Sequence, residues 1–257
     1  MYTNVIIGID GRQGGQDAAA LAAILSGPGA RHHLVFVAGC PPPRTRGAQA
    51  DLHLELVDPD CLSERMSTER RRVGGDAPTV RVIADSAAAG LQEAAAERDA
   101  DLIVVGASRR DGLQRLEGHD DVAALLHDTF ETIAVAPSGY SREPGGLERI
   151  GVAFDRSPES VVALAHGGLL ADERGCQLVV RNVTGSPHEG LVALSSEVDV
   201  LVCGSRRQGP LRRLALGSTS QYLARHVGVP LIITPPVDTP ATSRWNARHP
   251  TFEELVS

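Results

Sequence analysis

The sequence predicts an α/β class fold: two tandem layered α/β/α domains with parallel sheets, five strands in the first and about four in a shortened second. Three observations carry that expectation. Short apolar runs without polar alternation recur along the chain, as in strands covered on both faces. Helical patterns separate them, which gives the strand–helix–strand order of right-handed crossovers. The chain also repeats itself. Segment 101–106, DLIVVG, resembles segment 199–204, DVLVCG, at an offset of 98 residues, and that offset carries Leu125 onto Leu223, Ile133 onto Leu231, Val135 onto Ile233 and Pro137 onto Pro235. Segment 5–10, VIIGID, resembles segment 150–155, IGVAFD, at an offset of 145, so the second copy is shorter by the difference, 47 residues.

In the first copy, strands are expected at 5–9, 34–37, 80–83, 102–105 and 132–135, with helices at 16–25, 52–72, 87–98 and 122–127. In the second, strands are expected at 150–154, 177–183, 200–203 and 231–234, with helices at 158–173, 190–197 and 218–226. The gap between Val183 and Asp199 holds one short helix and its turns, so one helix and the third strand are missing. A third strand at a sheet edge can be lost with the centre intact. The stretch 137–146, rich in Pro, Gly and Ser between two apolar runs, reads as a linker. The expected division is therefore 1–140, 147–237 and a polar tail at 238–257.

Composition excludes several functions. Hydrophobic residues make up 42% and charged residues 22% of 257, which is ordinary for a globular chain with a sizeable core. No apolar run approaches the roughly 20 residues of a membrane span, and the N-terminus lacks a signal-peptide pattern, so the expected location is cytoplasmic. With a net charge of -7 and 3% aromatics, a general nucleic-acid surface is not expected. All 25 basic residues are Arg. The absence of Lys removes a Walker A lysine, a pyridoxal Schiff base and the kinase lysine. Cys40, Cys61, Cys176 and Cys203 form no C-x-x-C pair and read as reduced, buried thiols. His32 and His33 precede a predicted strand, lack metal-ligand spacing and read as surface residues. Arg70, Arg71 and Arg72 read as a solvated helix face. Gly8, Gly11 and Gly14 do not make the G-x-G-x-x-G fingerprint, and no G-x-S-x-G elbow occurs.

The sharpest pattern lies in the second copy. A buried strand ends in Gly204, an Arg-rich loop with Arg206 and Arg207 follows, and Gly217, Ser218, Thr219 and Ser220 open a helix. Free N–H groups and the positive dipole end at a helix start suit an anion, and glycine lets a phosphate approach the backbone. Ligands of open parallel sheets bind beyond the carboxyl ends of strands, and Asp155 ends the first strand of this copy. The same residues are equally consistent with a turn at Gly204 and a helix cap at Ser218.

At these residues the chain resembles the universal stress protein family in its tandem form, with its Rossmann-like layering. ATP-binding members carry Gly-x2-Gly-x9-Gly-Ser/Thr between the fourth strand and fourth helix. Gly204 takes the first position and Gly217–Ser218 the last, while Arg207 stands where the second Gly is expected. The resemblance implies that Asp155 contacts the nucleoside, that the main chain around Val183 meets adenine, and that ATP or a related adenine nucleotide, with Mg²⁺, is the cofactor. It implies no metal held by the protein alone.

The first copy departs further. The offset of 98 sets Gly106 on Gly204, Arg109 on Arg207, His119 on Gly217, Asp120 on Ser218 and Asp121 on Thr219, and Asp10 matches Asp155. A carboxylate about 4 Å from a phosphate costs roughly 4 kcal/mol at an effective dielectric near 20. The first site is therefore expected to be degenerate. The resemblance further implies intrachain pairing through the two fifth strands, with a homodimer left open, and a stress-response nucleotide sensor. A scaffold without nucleotide and a slow ATPase are the alternatives. No residue supplies an evident general base, so no catalytic residue is assigned.

Overall fold

The computed structural model describes residues 2–38, 67–107, 125, 131–182, 187–205 and 228–235. In the first copy, β1 (Tyr2–Gly8) leads to α1 (Gln13–Leu25), β2 (Ser26–Ala38), α2 (Ser67–Arg72), β3 (Thr79–Ile83), α3 (Ala87–Glu97), β4 (Leu102–Gly106) and β5 (Thr132–Ala136). The second supplies β6 (Arg149–Phe154), α4 (Pro158–Arg174), β7 (Gln177–Asn182), α5 (Pro187–Ser195), β8 (Val200–Gly204) and β9 (Leu231–Thr234). Only Leu125 of the helix expected at 122–127 is described, and it is buried. The helix expected at 218–226, residues 52–66 of the expected second helix, and the tail lie outside the described residues.

Five strands of the first copy and four of the second join in one nine-stranded sheet, ordered β3-β2-β1-β4-β5-β9-β8-β6-β7. All neighbours run parallel except β5 and β9, which pair antiparallel with Ile133 opposite Ile233 and Val135 opposite Leu231. Each copy's own strands are thus parallel, as expected, and the joined sheet is mixed only at the seam, where the two fifth strands meet edge to edge in opposite directions. The third strand does lie at the outer edge in the first copy. No described strand covers β7 in the second, and Val180 there is 46% exposed while Leu34 of β2 is fully buried.

Alternating strand residues feed two cores, and each crosses the seam. Ile7, Leu21, Leu25 and Val104 of the first copy share one cluster with Val152, Leu170, Val202 and Ile232 of the second. Ile6, Leu91, Ile103 and Ile133 share the opposite cluster with Leu194, Leu201 and Leu231. Across the seam Arg174, near the end of α4, donates to the carbonyls of Ile24 and Ser26 where α1 ends. A guanidinium suits those unpaired helix-terminal oxygens.

Local chemistry sets the helix ends. The Ser86 hydroxyl accepts from Ala89 N at 3.0 Å and caps α3. The Ser157 hydroxyl accepts from Ser160 N at 3.2 Å, Pro158 follows, and Gly175 ends α4 with φ +65. α5 starts at Pro187, before the expected residue 190, and ends at Ser195. β2 begins at Ser26, well before the expected residue 34, because Asn4 to Gly8 recruit its polar first half by pairing. His32 and His33 consequently lie within β2 and are half-buried, not surface residues. Their Nε2 atoms face Ser26 Oγ at 2.7 Å and Asn4 Oδ1 at 3.1 Å, and burial lowers both imidazole pKa values. Arg71 and Arg72 are exposed as expected, but Arg70 is half-buried and donates to Thr79 Oγ1 at 2.9 Å. Cys203 is buried, its thiol pushed up to about 12, and Cys176 is half-buried.

The repeated aspartates hold the sheet at its N-terminal rim. Asp101 accepts from Thr3 N at 3.0 Å and Asn4 N at 3.0 Å, and Asp199 accepts from Glu148 N and Arg149 N at 2.8 Å each. Segment 137–146 is no slack tether. Asp17, fully buried on α1, accepts from Gly139 N at 2.8 Å, Ser141 N at 2.8 Å and Gln13 Nε2 at 2.9 Å.

Glu69 on α2 is fully buried, and neither carboxylate oxygen has a hydrogen-bond partner. Burial is the main cause that pushes its pKa up, with the Asp10 charge adding to it, while the backbone N–H of its own residue and then Arg72 pull the other way. A raised folded pKa means that stability is fullest below the ordinary Glu range and falls as pH rises through the folded value. Glu69→Gln should therefore raise the thermal midpoint at neutral pH, with the gain vanishing near pH 4. A pH series of melting curves checks this, and parallel curves for the two proteins would refute it. No helix among the described residues is long and apolar enough to cross a membrane.

Candidate functional site

The expected site lies where β6 and β8 end. Their register pairs Ile150 with Val200 and Val152 with Val202. Carried forward, it sets Phe154 beside Gly204 and Asp155 beside Ser205. The structure thus brings Asp155 and Gly204 to adjacent strand ends. The same register in the first copy, Val5 with Leu102 and Ile7 with Val104, brings Asp10 and Gly106 together. Val183, Arg206, Arg207, Gly217, Ser218, Thr219 and Ser220 lie outside the described residues, as do Arg109, His119, Asp120 and Asp121.

Asp155 shapes the turn into α4. Its Oδ1 accepts from Ser157 N at 3.0 Å and from Ser157 Oγ at 2.6 Å. Ser157 in turn caps the helix, so one carboxylate fixes the direction in which α4 starts. Asp10 does the same work in the first copy, accepting from Arg12 N at 2.9 Å before α1. Such i to i+2 bonds are the Asx-turn habit of aspartate.

Gly204 has a packing reason. A β-carbon there would run into the carbonyl of Glu159 in the first turn of α4, and would lie 2.8 Å from Glu159 Cβ. In the first copy, a β-carbon on Gly106 would run into the Gly14 carbonyl and lie 2.6 Å from its Cα. Gly14 and Glu159 are themselves related by the offset of 145. Each glycine therefore seats the start of a helix on the end of the neighbouring strand. Reading Gly204 only as a phosphate-loop or turn glycine misses this contact, which the degenerate-looking copy keeps as well. The geometry draws the α4 N-terminus to the rim, where its unpaired N–H groups and positive dipole end gather.

Sequence reasoning missed three residues here. Ser157 was legible from Asp-x-Ser followed by Pro. The close approach at Glu159 had no local signal. Arg156, with φ +66, occupies the left-handed conformation that Gly11 adopts in the first copy with φ +68. The offset of 145 aligns them.

Among the described residues, no group of three or more His, Cys, Asp or Glu side chains could hold a metal ion. The arrangement offers instead a carboxylate, a helix start and an exposed guanidinium on one rim.

Comparisons with known proteins place the fold and the family. A family model described as "Universal stress protein family" matches residues 1–119 and 179–235, more than half of the chain. No curated protein sequence matches. Among solved structures, a universal stress protein from Archaeoglobus fulgidus DSM 4304 is similar at 15% identity and a TM-score of 0.66, covering 90% of this chain and 98% of its own. A functionally unknown protein from Pseudomonas aeruginosa PAO1 is similar at 15% identity and a TM-score of 0.66, covering 99% and 96%. Both are likenesses of fold across both copies. This chain belongs to the universal stress protein family.

Proposed function

We propose that the second copy, within 147–237, binds ATP or a related adenine nucleotide and that the protein acts as a nucleotide sensor in a cytoplasmic stress response. The observation that carries the reading is the placement of Asp155 and Gly204 on adjacent strand ends beside the start of α4. The residues present fit the group: a carboxylate suits ribose hydroxyls, and a helix N-terminus suits phosphate. Asp155 would hold the nucleoside and the main chain around Val183 the adenine. Arg206, Arg207, Gly217, Ser218, Thr219 and Ser220 would hold the phosphates, with Mg²⁺ arriving on the nucleotide. The first copy, within 1–140, would act as a buttress, its rim closed to phosphate by Asp120 and Asp121.

Calorimetric titration of Mg-ATP into the nucleotide-stripped protein tests this, with Ser218→Asp as control. One site per chain is expected, weakened at least roughly tenfold by the added carboxylate. No heat and no thermal stabilisation up to millimolar ATP would leave the scaffold reading in its place. Product formation over hours, abolished by Ser218→Asp, would favour the slow ATPase.

A further inference from the structure

The short helix α2 packs against α1 and is anchored by two of its arginines. Arg70 donates to Thr79 Oγ1 at 2.9 Å, which ties it to β3. Arg72 donates to the Ser141 carbonyl at 2.9 Å, in the segment that joins the two copies. Beside these anchors Glu69 is fully buried, and neither carboxylate oxygen meets a hydrogen-bond partner in another residue. We infer that Glu69 is a proton latch: α2 docks firmly while Glu69 carries a proton and loosens when it ionises, and Arg72 passes the loosening to the segment between the copies. The latch belongs to the first copy and stands whether or not the second binds nucleotide.

Burial without a partner costs a carboxylate far more as an anion than as a neutral acid. The surrounding charges do not remove that cost. On its own helix, Arg70 is committed to Thr79, Arg72 to Ser141, and Arg71 to the Ser67 carbonyl. Ahead of α1, Asp10 adds a like charge. On α1, Asp17 is fully buried too, but Gln13, Gly139 and Ser141 all donate to it. Glu69 has no such donors from its neighbours. Arg12, Asp76, Arg81, Arg142 and Glu143 on the adjoining segments are exposed.

Docking raises the Glu69 pKa, chiefly by burial. Docking is therefore strongest at low pH, weakens as pH climbs from the ordinary value of 4.5, and levels off above the docked value. His32 on β2, which meets the Val73 backbone just past α2, has its pKa lowered by burial. It acts with the opposite sign, weakening the fold on acidification. The route onward runs through one residue. The Ser141 carbonyl accepts from Arg72, its N–H donates to Asp17 at 2.8 Å, and its hydroxyl accepts from Gln13 at 2.7 Å. α1, α2 and the joining segment thus share Ser141.

Amide hydrogen exchange tests this on the full-length wild type, Glu69→Gln and Asp10→Asn, over a series from about pH 4 to about pH 8. Comparing proteins at the same pH cancels both the intrinsic exchange chemistry and the His32 contribution. Relative to Glu69→Gln, wild-type protection of α2 should fall by about tenfold for each pH unit inside the window. Ser141 should lose protection alongside it. Asp10→Asn keeps the acceptor for the Arg12 N–H but removes the like charge, so its total fall should be smaller than in wild type. Parallel protection in wild type and Glu69→Gln at every pH would overturn the latch, as would an Asp10→Asn fall larger than that of wild type. A Ser141 amide that ignores the loss at α2 would overturn the link to the second copy.

Discussion

Gly204→Ala should destabilise the fold by about 1–3 kcal/mol, and Gly106→Ala by a similar amount. In both cases the added methyl meets backbone, the carbonyl of Glu159 or of Gly14, which cannot turn aside as a side chain can. Relief requires α4 or α1 to lift from the sheet. Those helices carry Leu170 and Leu21 into the core shared by both copies, so lifting either loosens the whole face. At roughly 2–4 °C per kcal/mol for a chain of this size, thermal midpoints should fall by several degrees in both variants. The paired design decides the question. Were Gly204 only a phosphate-loop glycine, Gly204→Ala would lose nucleotide at unchanged stability and Gly106→Ala would be inert.

Asp17→Ala is expected to cost about 3–5 kcal/mol. The carboxylate is fully buried and accepts three hydrogen bonds. Removal leaves the buried N–H of Ser141 and the half-buried N–H of Gly139 without their acceptor. The damage should extend to Arg72, which donates to the Ser141 carbonyl at 2.9 Å and ties α2 to the same turn. Asp17→Asn should fall between, because an amide keeps the shape but turns one acceptor into a donor. Denaturant unfolding measures the differences, and amide exchange at Ser141 should rise by orders of magnitude in the alanine variant. A change below about 0.5 kcal/mol would show that the turn is satisfied by other means.

Particular residues show why the fold was largely legible and the site less so. Parallel strands buried on both faces are continuous apolar runs, so β4 and β8 are plain in the sequence, and their shared offset revealed the duplication. β2 was read too short because Arg31, His32 and His33 are polar. They enter the strand through pairing with β1, a non-local cause. The fifth strands are apolar throughout, but nothing in either run states that its neighbour is antiparallel. Asp155 and Gly204 were found by a motif, whereas the contact that constrains Gly204 lies on Glu159, remote in sequence. Arg156 hid for another reason: a residue's φ is set by the turn, and only the aligned Gly11 betrays it. The arginine-rich loop and the Gly-Ser helix start rest on sequence alone.

The mirror order of the sheet carries a consequence for how such a chain can change over time. Strands nearest the antiparallel seam are hemmed in on both sides, so losing one would orphan two neighbours. The outermost strands have a single neighbour each, and their removal leaves every remaining pair whole. Duplication thus produced a molecule with a constrained middle and two expendable margins. One margin still carries β3, and among the described residues the other stops at β7. The half with the more intact glycine-rich motif is also the shorter half by sequence, so the sequence at the strand ends and the bulk at the margin have been free to diverge separately.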